Sequence, residues 1–478
     1  MLRYHASQPM LFNSGLFLLL FAGFLIVYNL LRYAPRLRIG FVVLFSIYFY
    51  YKSSGWYFLL MLATSLVVHY LTLHIYTSRN RTHRKWLLTL SIVLCLSLLG
   101  WFKYANFLSA IAFDTAGLAI TLPKIFLPLG ISFYTFELIS YAVDAHRRLF
   151  KPVRRIADFF FYVSFFPHLV AGPIVRPSEL LPQLQKKLTI ANDAVGRGVF
   201  LIVCGLVKKA IISDYISSNF VDRIFDNPTL YTGIENLLGI YGYTLQIYCD
   251  FSGYSDMAIG LALLLGFHLP DNFHAPYQAT SLTDFWRRWH ISLSSWLRDY
   301  LYIPLGGNRV APWRQLLNLF LTMLLGGLWH GAAWKYILWG ALHGLWLVLE
   351  KLLSKIHLIT YSPIKNALGW LITFHIVAFS WIFFRAENLS TAMDMLVQIQ
   401  QNFQPQLFFA IISNYYTVFA LIALGYALHF TPRRFDGWVQ ANLVASPVLV
   451  KALILTLAIW LVIQTKSSEM QPFIYFQF

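Results

Sequence analysis

Cysteine is scarce in this sequence. The 478 residues include three cysteines, Cys95, Cys204 and Cys249, and all three lie in apolar stretches. They form neither a CxxC pair nor the spacing of a structural zinc site. We therefore expect no disulfide framework and no structural zinc. A buried apolar thiol is usually inert, which argues against a reactive role for Cys249.

Charged residues are scarce as well. Asp, Glu, Lys and Arg together make up 12% of the chain, against 58% hydrophobic residues, and the mean hydropathy is +0.59. These values exclude an ordinary soluble globular protein and predict an all-α polytopic integral membrane protein. The aromatic share of 18% is typical of residues at both membrane interfaces and within a large helical bundle.

Acidic residues are the rarer of the two charge classes. The chain has 37 Lys and Arg against 20 Asp and Glu, a net charge of +17 that in a soluble protein would suggest nucleic acid. Here the basic residues cluster in short loops between apolar runs, as the positive-inside rule predicts for cytoplasmic loops. We assign no nucleic-acid partner and expect membrane lipids around the protein.

Long apolar runs follow one another along the chain. The first, Leu11–Leu31, is long enough to cross a hydrocarbon core, and the basic stretch Arg32–Arg38 places its end in the cytoplasm. The N-terminal MLRYHASQPM lacks the features of a removable signal peptide, so this run is expected to remain as an anchor. We predict about eleven crossings plus re-entrant or interfacial helices, in a single domain over residues 1–478. The other runs are Ile39–Tyr51, Trp56–Tyr76, Trp86–Leu108, Ile125–Val143, Phe159–Val175, Gly198–Ile212, Leu237–Phe267, Leu316–Leu353, Ala367–Phe384, Leu407–Phe430 and Val448–Ile463.

Two stretches depart from the pattern of straight spans. Phe159–Val175 contains Pro167 and Pro173, which favour a kinked or re-entrant segment. Leu269–Val310 interleaves aromatic and basic residues without a run long enough to span, which is typical of an interfacial or re-entrant segment. Thr283 is expected to cap a helix within it.

One histidine lies inside an apolar run where a spanning helix normally carries none. This is His330 in LGGLWHGAAWKYILWGALHG, Leu325–Gly344, where glycine and alanine leave room beside the imidazole. Ionisable groups at bilayer depth are costly to desolvate, so their default interpretation is functional. The sequence leaves two roles open for His330, a proton-handling group in a substrate slot or a donor to a neighbouring helix.

His290, in the polar aromatic segment, is the second candidate. A histidine with a pKa near its ordinary value of about 6.5 can accept and return a proton at neutral pH, which suits activation of a hydroxyl or thiol. A metal site is disfavoured because two histidines lack the remaining ligands of zinc and no HExxH or Cys/His cluster is present. His343 would point away from His330 on an unbroken helix. We therefore predict no metal.

Basic and aromatic residues alternate around His290. Their charge-assisted bonds could hold the phosphates of a nucleotide-bearing donor. An interfacial helix attracted to anionic lipid headgroups is at least as well supported by the sequence. No Walker motif, GxGxxG or GxSxG is present, so neither a conventional nucleotide fold nor a serine nucleophile is predicted. The candidate donor-binding residues are Trp286, Arg287, Arg288 and Arg298.

Four carboxylates lie within apolar surroundings. Glu137 and Asp144 are two helical turns apart and share one face of a predicted helix. Asp250 and Asp256 belong to CDFSGYSD, a polar stretch that interrupts the apolar block Leu237–Phe267. Each carboxylate either lines a polar path or bonds to a neighbouring helix, and the second arrangement is the favoured one.

Longer motifs resemble a known family. DFWRRWHISLSSWLRDYLYIPLGGNR, Asp284–Arg309, followed by Leu325–Gly344, closely resembles the membrane-bound O-acyltransferase family, in the bacterial branch that O-acetylates alginate. The resemblance covers nearly the whole chain. Further stretches similar to that branch, in the same order, are LPLGISFYTFELISYAVD (Leu127–Asp144), FFPHLVAGPIVRP (Phe165–Pro177), YCDFSGYSDMAIG (Tyr248–Gly260) and the ending QPFIYFQF (Gln471–Phe478).

The resemblance implies a helical bundle around a central tunnel, with the family's catalytic histidine at His330 and its asparagine-or-histidine position at His290. It implies an O-acetyltransferase of the inner membrane that uses cytoplasmic acetyl-CoA and no bound cofactor. The acetyl group would pass to an exported polysaccharide, alginate or a similar polymer, through periplasmic acetyltransferase partners. Trp329, Glu137 and Asp250 are then candidates for the tunnel lining.

Alternatives remain inside and outside this family. Peptidoglycan O-acetylation uses a very similar membrane component and teichoic acid D-alanylation a more distant one; the motifs favour the acetyl branch without identifying the polymer. A non-enzymatic transporter would also combine broken helices with polar groups at the bilayer midplane. Transporters of that kind usually show paired repeats, and none is found in this sequence.

Overall fold

The structure of this chain, a computed structural model, is helical. No β-strand occurs in the part of the chain that it describes, which confirms the all-α prediction. The described residues are 3–5, 9–118, 122–123, 125–186, 190–353, 363–465 and 473–474. Of the ending QPFIYFQF, all but Phe473 and Ile474 lies outside the described residues.

Twenty-three α-helices are described, joined in places by short 3-10 or π-helical turns. The first ten are α1 Gly15–Leu30, α2 Pro35–Ser54, α3 Phe58–Thr77, α4 Arg81–Leu99, α5 Ala105–Ala116, α6 Ile131–His146, α7 Ile156–Ser164, α8 Phe166–Leu169, α9 Pro177–Leu184 and α10 Asn192–Leu206. The others are α11 Asp214–Ile216, α12 Asp222–Asp226, α13 Gly233–Leu264, α14 Leu282–Arg288, α15 Ile291–Leu297, α16 Pro312–His330, α17 Trp334–Leu353, α18 Pro363–Arg385, α19 Leu389–Gln401, α20 Phe408–Asn414, α21 Tyr416–His429, α22 Arg433–Ala445 and α23 Val448–Thr465.

Several helical stretches are long and apolar enough to cross a membrane. There are 5 among the described residues, or up to 6 if the pair Pro405–Asn414 and Tyr416–His429, bent by 94°, is one span. The polytopic membrane character is thus confirmed, while the count of about eleven crossings stays a prediction. The 5 stretches are Gly15–Tyr33, Pro35–Thr77, Arg81–Ala116, Trp334–Leu353 and Pro363–Arg385.

The cap of α14 differs from the prediction. Ser281 precedes the helix, and its Oγ accepts a hydrogen bond from the backbone N–H of Asp284 at 3.1 Å. Thr283, the predicted cap, lies inside the first turn, so that prediction was wrong. An N-cap oxygen reaches the N–H two or three residues ahead, which Ser281 can do for Asp284 and the adjacent Thr283 cannot.

Contacts divide the chain into two compact units. The first comprises Met1–Gly198 and Met257–Pro270, and the second comprises Val199–Asp256 and Asp271–Phe478. The boundary falls within α10 and within α13. The single domain expected over residues 1–478 stays a prediction.

In the first unit, the segment predicted to be kinked is interrupted. α7 ends at Ser164, and the short α8 that follows gives way to irregular chain, so no straight span forms. A Cβ on Gly172 would lie 2.4 Å from the Cα of His168, which shows how tightly the chain folds back. The buried His168 Nδ1 lies 3.0 Å from Glu137 Oε1. That oxygen also accepts the N–H of Val175 at 3.3 Å, so Glu137 is bonded within this unit.

In the second unit, α16 and α17 form a close helical hairpin. A Cβ on Gly327 would lie 2.3 Å from the carbonyl oxygen of Tyr336, and one on Gly340 would lie 2.6 Å from that of Met323. Small residues at such positions let two membrane helices approach through their backbones. The run Leu316–Leu353, predicted to hold two short crossings, contains these two helices, of which Trp334–Leu353 is long and apolar enough to cross a membrane.

Two lysines satisfy the carboxylates of CDFSGYSD in the second unit. Lys209 Nζ lies 2.6 Å from Asp214 Oδ1 and 2.5 Å from Asp250 Oδ1. Lys208 Nζ lies 2.7 Å from Asp256 Oδ2. Because buried charges are stable only when paired, these bonds allow α13 to continue unbroken through the polar stretch.

Candidate active site

The second unit contains a cavity of about 670 Å³. α14 and α15 contribute one part of its wall, and the α16–α17 hairpin contributes another. Four charged residues line it, of which Glu350 and Lys351 lie at the end of α17, whereas His330 lies at the turn between α16 and α17. The rest of the wall is mostly apolar and includes Ile291, Leu293, Leu297, Leu319, Met323 and Leu347.

His330 is the last residue of α16. The chain becomes extended at Gly331, where a Cβ would lie 2.0 Å from the Tyr336 ring, so glycine is required for the hairpin to turn here. The His330 side chain lines the cavity although the residue is only 4% exposed. Its ring centroid lies 5.1 Å from those of Trp329 and Trp339.

His290 occupies the break between α14 and α15. Its backbone is left-handed, with φ 42° and ψ 55°, a conformation that costs energy for a residue with a Cβ. Asn272 holds the break in place: its carbonyl oxygen accepts the N–H of Ile291 at 3.0 Å, and its Oδ1 accepts both the N–H and the hydroxyl of Ser292, at 3.2 and 2.9 Å. Strained backbone held by its surroundings is often found at functional sites.

The break aims the His290 imidazole at His330. Their ring centroids are 6.5 Å apart, with 50° between the ring planes. Phe251 packs edge-on against His290 at 4.5 Å, and His290 itself is 0% exposed. Burial lowers the pKa of His290 to about 3, so its imidazole is neutral at physiological pH.

Three basic residues line the cavity. They are Arg287 in the last turn of α14, Arg298 directly after α15 and Lys351 near the end of α17. Arg298 bonds to its neighbour Asp299, with Nε 2.7 Å from Oδ1. For Arg287, no carboxylate of the described residues lies within salt-bridge distance. These basic side chains make the cavity suited to anionic groups such as phosphates.

Glu350 lies beside these basic residues. Its carboxylate accepts the N–H groups of Leu282, at 2.7 Å, and Thr283, at 3.3 Å, in the first turn of α14. A carboxylate at a helix N-terminus satisfies free backbone N–H groups and interacts favourably with the helix dipole. Glu350 therefore ties the end of α17 to the beginning of α14, on either side of the cavity.

The arrangement suits a long ligand with an anionic head and a reactive tail. Its anionic group would meet the basic side chains, the apolar wall would exclude water, and its reactive group would reach the imidazole of His330. No group of three or more His, Cys, Asp or Glu able to hold a metal ion occurs in the described part of the chain. The chemistry available to these side chains is proton transfer and hydrogen bonding.

Comparison with known proteins identifies the family to which this site belongs. The model of the membrane-bound O-acyltransferase family matches residues 76–385, a stretch that includes both histidines and all of the cavity lining. The chain belongs to this family. It is an O-acyltransferase, and the transporter alternative is set aside.

Curated relatives agree with this assignment. The probable alginate O-acetylase AlgI of Pseudomonas aeruginosa is 45% identical over 397 residues, covering 81% of this chain and 74% of that protein. The probable alginate O-acetylase AlgI of Pseudomonas putida is 39% identical over 496 residues, covering 98% of this chain and all of that protein (100%). The peptidoglycan O-acetyltransferase of Helicobacter pylori is 38% identical over 420 residues, covering 81% and 79%.

The predicted donor-binding residues do not all meet in the cavity. Trp286, Arg287 and Arg298 line it together with His330. Arg288 does not belong to the lining; its Nε donates to Asp284 Oδ2 at 2.9 Å, one turn back on α14.

The candidate tunnel-lining residues lie outside this cavity. Trp329 packs on both imidazoles, with its ring centroid 5.1 Å from His330 and 6.2 Å from His290. Asp250 is held by Lys209 and accepts the N–H of Ile474 at 2.9 Å. Glu137 belongs to the first unit. The role of these three residues in lining a tunnel stays a prediction.

Sequence reasoning missed Asn272 and Glu350. Asn272 lies in the irregular chain between α13 and α14. In the sequence it is distinguished only as an amide side chain within Leu269–Val310, the segment predicted to be interfacial or re-entrant. Glu350 lies near the end of an apolar run, where a carboxylate usually marks the membrane boundary. A buried or half-buried polar residue beside a helix start is the signal that could have identified both.

Proposed function

We propose that this O-acyltransferase moves acetyl groups from acetyl-CoA across the inner membrane for O-acetylation of an exported polysaccharide. The observation that carries the proposal is the cavity itself, which is lined both by basic side chains and by the imidazole of His330. Acetyl-CoA matches this lining, because it carries phosphates for the basic side chains and a thioester for the imidazole.

Donor binding is the first step of the proposed reaction. Arg287 and Arg298 hold the phosphates through charge-assisted hydrogen bonds, and Trp286 packs beside them. The acyl-bearing arm then extends between the apolar side chains towards His330. Positioning of this kind converts a bimolecular encounter into a reaction within one complex.

His330 then acts as the general base. It accepts the proton of the acceptor hydroxyl while that oxygen attacks the thioester carbonyl, which forms a C–O bond and a tetrahedral oxyanion. Collapse of this intermediate breaks the C–S bond. The departing thiolate takes the proton back from His330, so the enzyme returns to its starting state and releases free coenzyme A.

His290 supports this step as a neutral imidazole. From 6.5 Å away, ring centroid to ring centroid, it orients the donor or shares the proton transfer with His330. Its left-handed backbone, and the hydrogen bonds that Asn272 accepts from Ile291 and Ser292, hold the chain at this break.

Alginate or a similar exopolysaccharide is the proposed final acceptor. Support comes from relatives whose names include alginate O-acetylase, at 45% and 39% identity. Peptidoglycan is the alternative, supported by the 38% identical relative from H. pylori. Partner acetyltransferases in the periplasm complete the transfer to the polymer.

The test uses full-length protein in proteoliposomes. Labelled acetyl-CoA is added outside, and an acceptor with its partner protein is enclosed. We expect label to reach the lumen with the wild type and to fall by a factor on the order of 10² to 10⁴ in His330→Ala, because a positioned base contributes that much to rate.

A second histidine variant controls for the substitution itself. His375→Ala removes an exposed imidazole on α18 whose Nε2 lies 3.1 Å from the Tyr241 hydroxyl, and it should transfer label like the wild type. Equal transfer by His330→Ala and wild type would refute the catalytic assignment. Absence of transfer by the wild type, with each of several acceptors enclosed, would refute the acetyl-CoA donor.

A further inference from the structure

We infer that Gly326 sets the size of the acyl group that this enzyme accepts, because the missing side chain at this position leaves the space beside His330. The inference rests on the proposed function, since it concerns the acyl end of the same cavity. It assigns a specificity-determining role to a residue that takes no part in the chemistry.

Helix geometry places this space next to the reactive imidazole. Gly326 and His330 are four residues apart on α16, so they lie on the same face of the helix, one turn apart. Both residues line the cavity. A side chain at position 326 would therefore project into the cavity directly beside the imidazole.

The surroundings of Gly326 are open. A Cβ built at this position would meet one atom within 4 Å, the Cδ1 of Leu297 at 3.2 Å. This atom is the end of a flexible side chain, and Leu297 also lines the cavity. The protein can thus accommodate a methyl group here with a small movement of Leu297, and the volume that is lost belongs to the cavity.

The adjacent glycine has a different role. A Cβ on Gly327 would lie 2.3 Å from the carbonyl oxygen of Tyr336 and 2.8 Å from the Cα of Gly340, both of which are backbone atoms. Gly327 is therefore required for close packing of α16 against α17. Two neighbouring glycines in one motif thus serve separate purposes, backbone packing at 327 and free volume at 326.

The consequence for substrate choice follows from the size of one methyl group. In a hydrophobic pocket, one methylene more or less changes kcat/KM by about 10- to 200-fold. Alanine at position 326 should therefore discriminate against longer acyl groups. Alanine at position 297 removes the atom that faces Gly326 and should have the opposite effect.

The experiment measures kcat/KM for acetyl-, propionyl- and butyryl-CoA in reconstituted full-length protein. We expect Gly326→Ala to lower the ratio of butyryl to acetyl transfer by about tenfold relative to the wild type, and Gly326→Val to lower it further. Leu297→Ala should raise this ratio. A ratio that does not change in Gly326→Ala, or that falls in Leu297→Ala, would overturn the inference.

A matched glycine serves as the control. Gly23 lies in the middle of α1 in the first unit, and a Cβ there would meet nothing within 4 Å. Gly23→Ala makes the same chemical change and should keep the wild-type ratio. Each variant is first checked for a single symmetric peak on size exclusion. If Gly326→Ala does not fold, Leu297→Ala tests the inference alone, and an unchanged ratio there refutes it.

Failure of the proposed function gives a different result. If the wild type transfers no acyl group from any of the three donors, the proposed function fails, and this inference fails with it. If the wild type transfers acetyl in a manner that depends on His330 while the ratio is the same in all variants, the inference alone fails.

Discussion

The imidazoles of His290 and His330 are 6.5 Å apart, ring centroid to ring centroid, although one residue belongs to the break between α14 and α15 and the other ends α16. Two different backbone conformations bring them together. A left-handed residue turns the chain at His290, and an extended glycine follows His330.

Substitutions of His290 should separate backbone strain from chemistry. A left-handed residue with a Cβ costs about 1–2 kcal/mol, which glycine avoids. We expect His290→Gly to be more stable than His290→Ala by about 1 kcal/mol, measured by thermal unfolding in detergent, with an equal loss of acyl transfer. His290→Asn should retain more transfer than either, because asparagine tolerates this conformation and can form hydrogen bonds. Equal stability of the glycine and alanine variants would contradict this account of the backbone.

The stabilising effect of His290 should weaken in acid. The folded protein keeps this imidazole neutral down to about pH 3, since burial lowers its pKa to about 3. An unfolded chain protonates its histidines at a pKa of about 6.5. Between these two pH values the unfolded state binds the extra proton, so stability falls as the pH falls. The unfolding temperature of the wild type should therefore decrease, relative to His290→Asn, from pH 7 to pH 5. If the unfolding temperatures of the two proteins fell in parallel over this range, His290 would be charged in the folded protein as well.

Removal of the cavity's basic side chains should weaken donor binding. Arg287→Gln and Arg298→Gln each remove one proposed phosphate contact, and we expect KM for acetyl-CoA to rise about tenfold with kcat little changed. Steady-state kinetics at low ionic strength measure this effect. Arg314→Gln is the matched control, since Arg314 is exposed on the first turn of α16 and does not line the cavity. A similar rise in KM for all three variants would indicate general attraction by surface charge rather than a site.

The two neighbouring lysines should differ in their importance for stability. Lys209 lies between Asp214 and Asp250 with a side chain 4% exposed, whereas Lys208 has a side chain 28% exposed and one partner, Asp256, within salt-bridge distance. Removal of one member of a buried ion pair costs about 3–5 kcal/mol. Lys209→Met should therefore lower the unfolding temperature much more than Lys208→Met does. The reverse order would place the more important ion pair at Asp256.

Composition was sufficient for the fold class, and motif spacing marked the two histidines as candidates. An isolated imidazole in an apolar run is a strong signal because its desolvation is costly. The same reasoning could not give the number of crossings, because hydropathy does not distinguish one long span from two short helices joined by a turn. It also did not separate Arg287 from Arg288, adjacent residues of which one lines the cavity and the other bonds to Asp284.

The remaining differences come from tertiary contacts. Ser281 and Thr283 are both common N-cap residues, and the start of α14 decides between them. The sequence favours a bonded carboxylate at Asp250 without indicating its partner, which is Lys209. Gly326 and Gly327 are indistinguishable by residue type, and they differ in what a Cβ would meet within 4 Å on neighbouring helices. Such contacts are formed by residues distant in sequence, so no local pattern reveals them.

The position of His330 at the carboxyl end of α16 has an electrostatic consequence. Peptide dipoles along a helix place a partial negative charge at its last turn, and the final carbonyl groups lack partners within the helix. In the proposed reaction, His330 becomes positive at the moment it accepts a proton from the acceptor. The dipole of α16 then stabilises that charge, by up to about 2 kcal/mol in partly buried geometries. The peptide dipoles of this 19-residue helix thus assist the base from a distance.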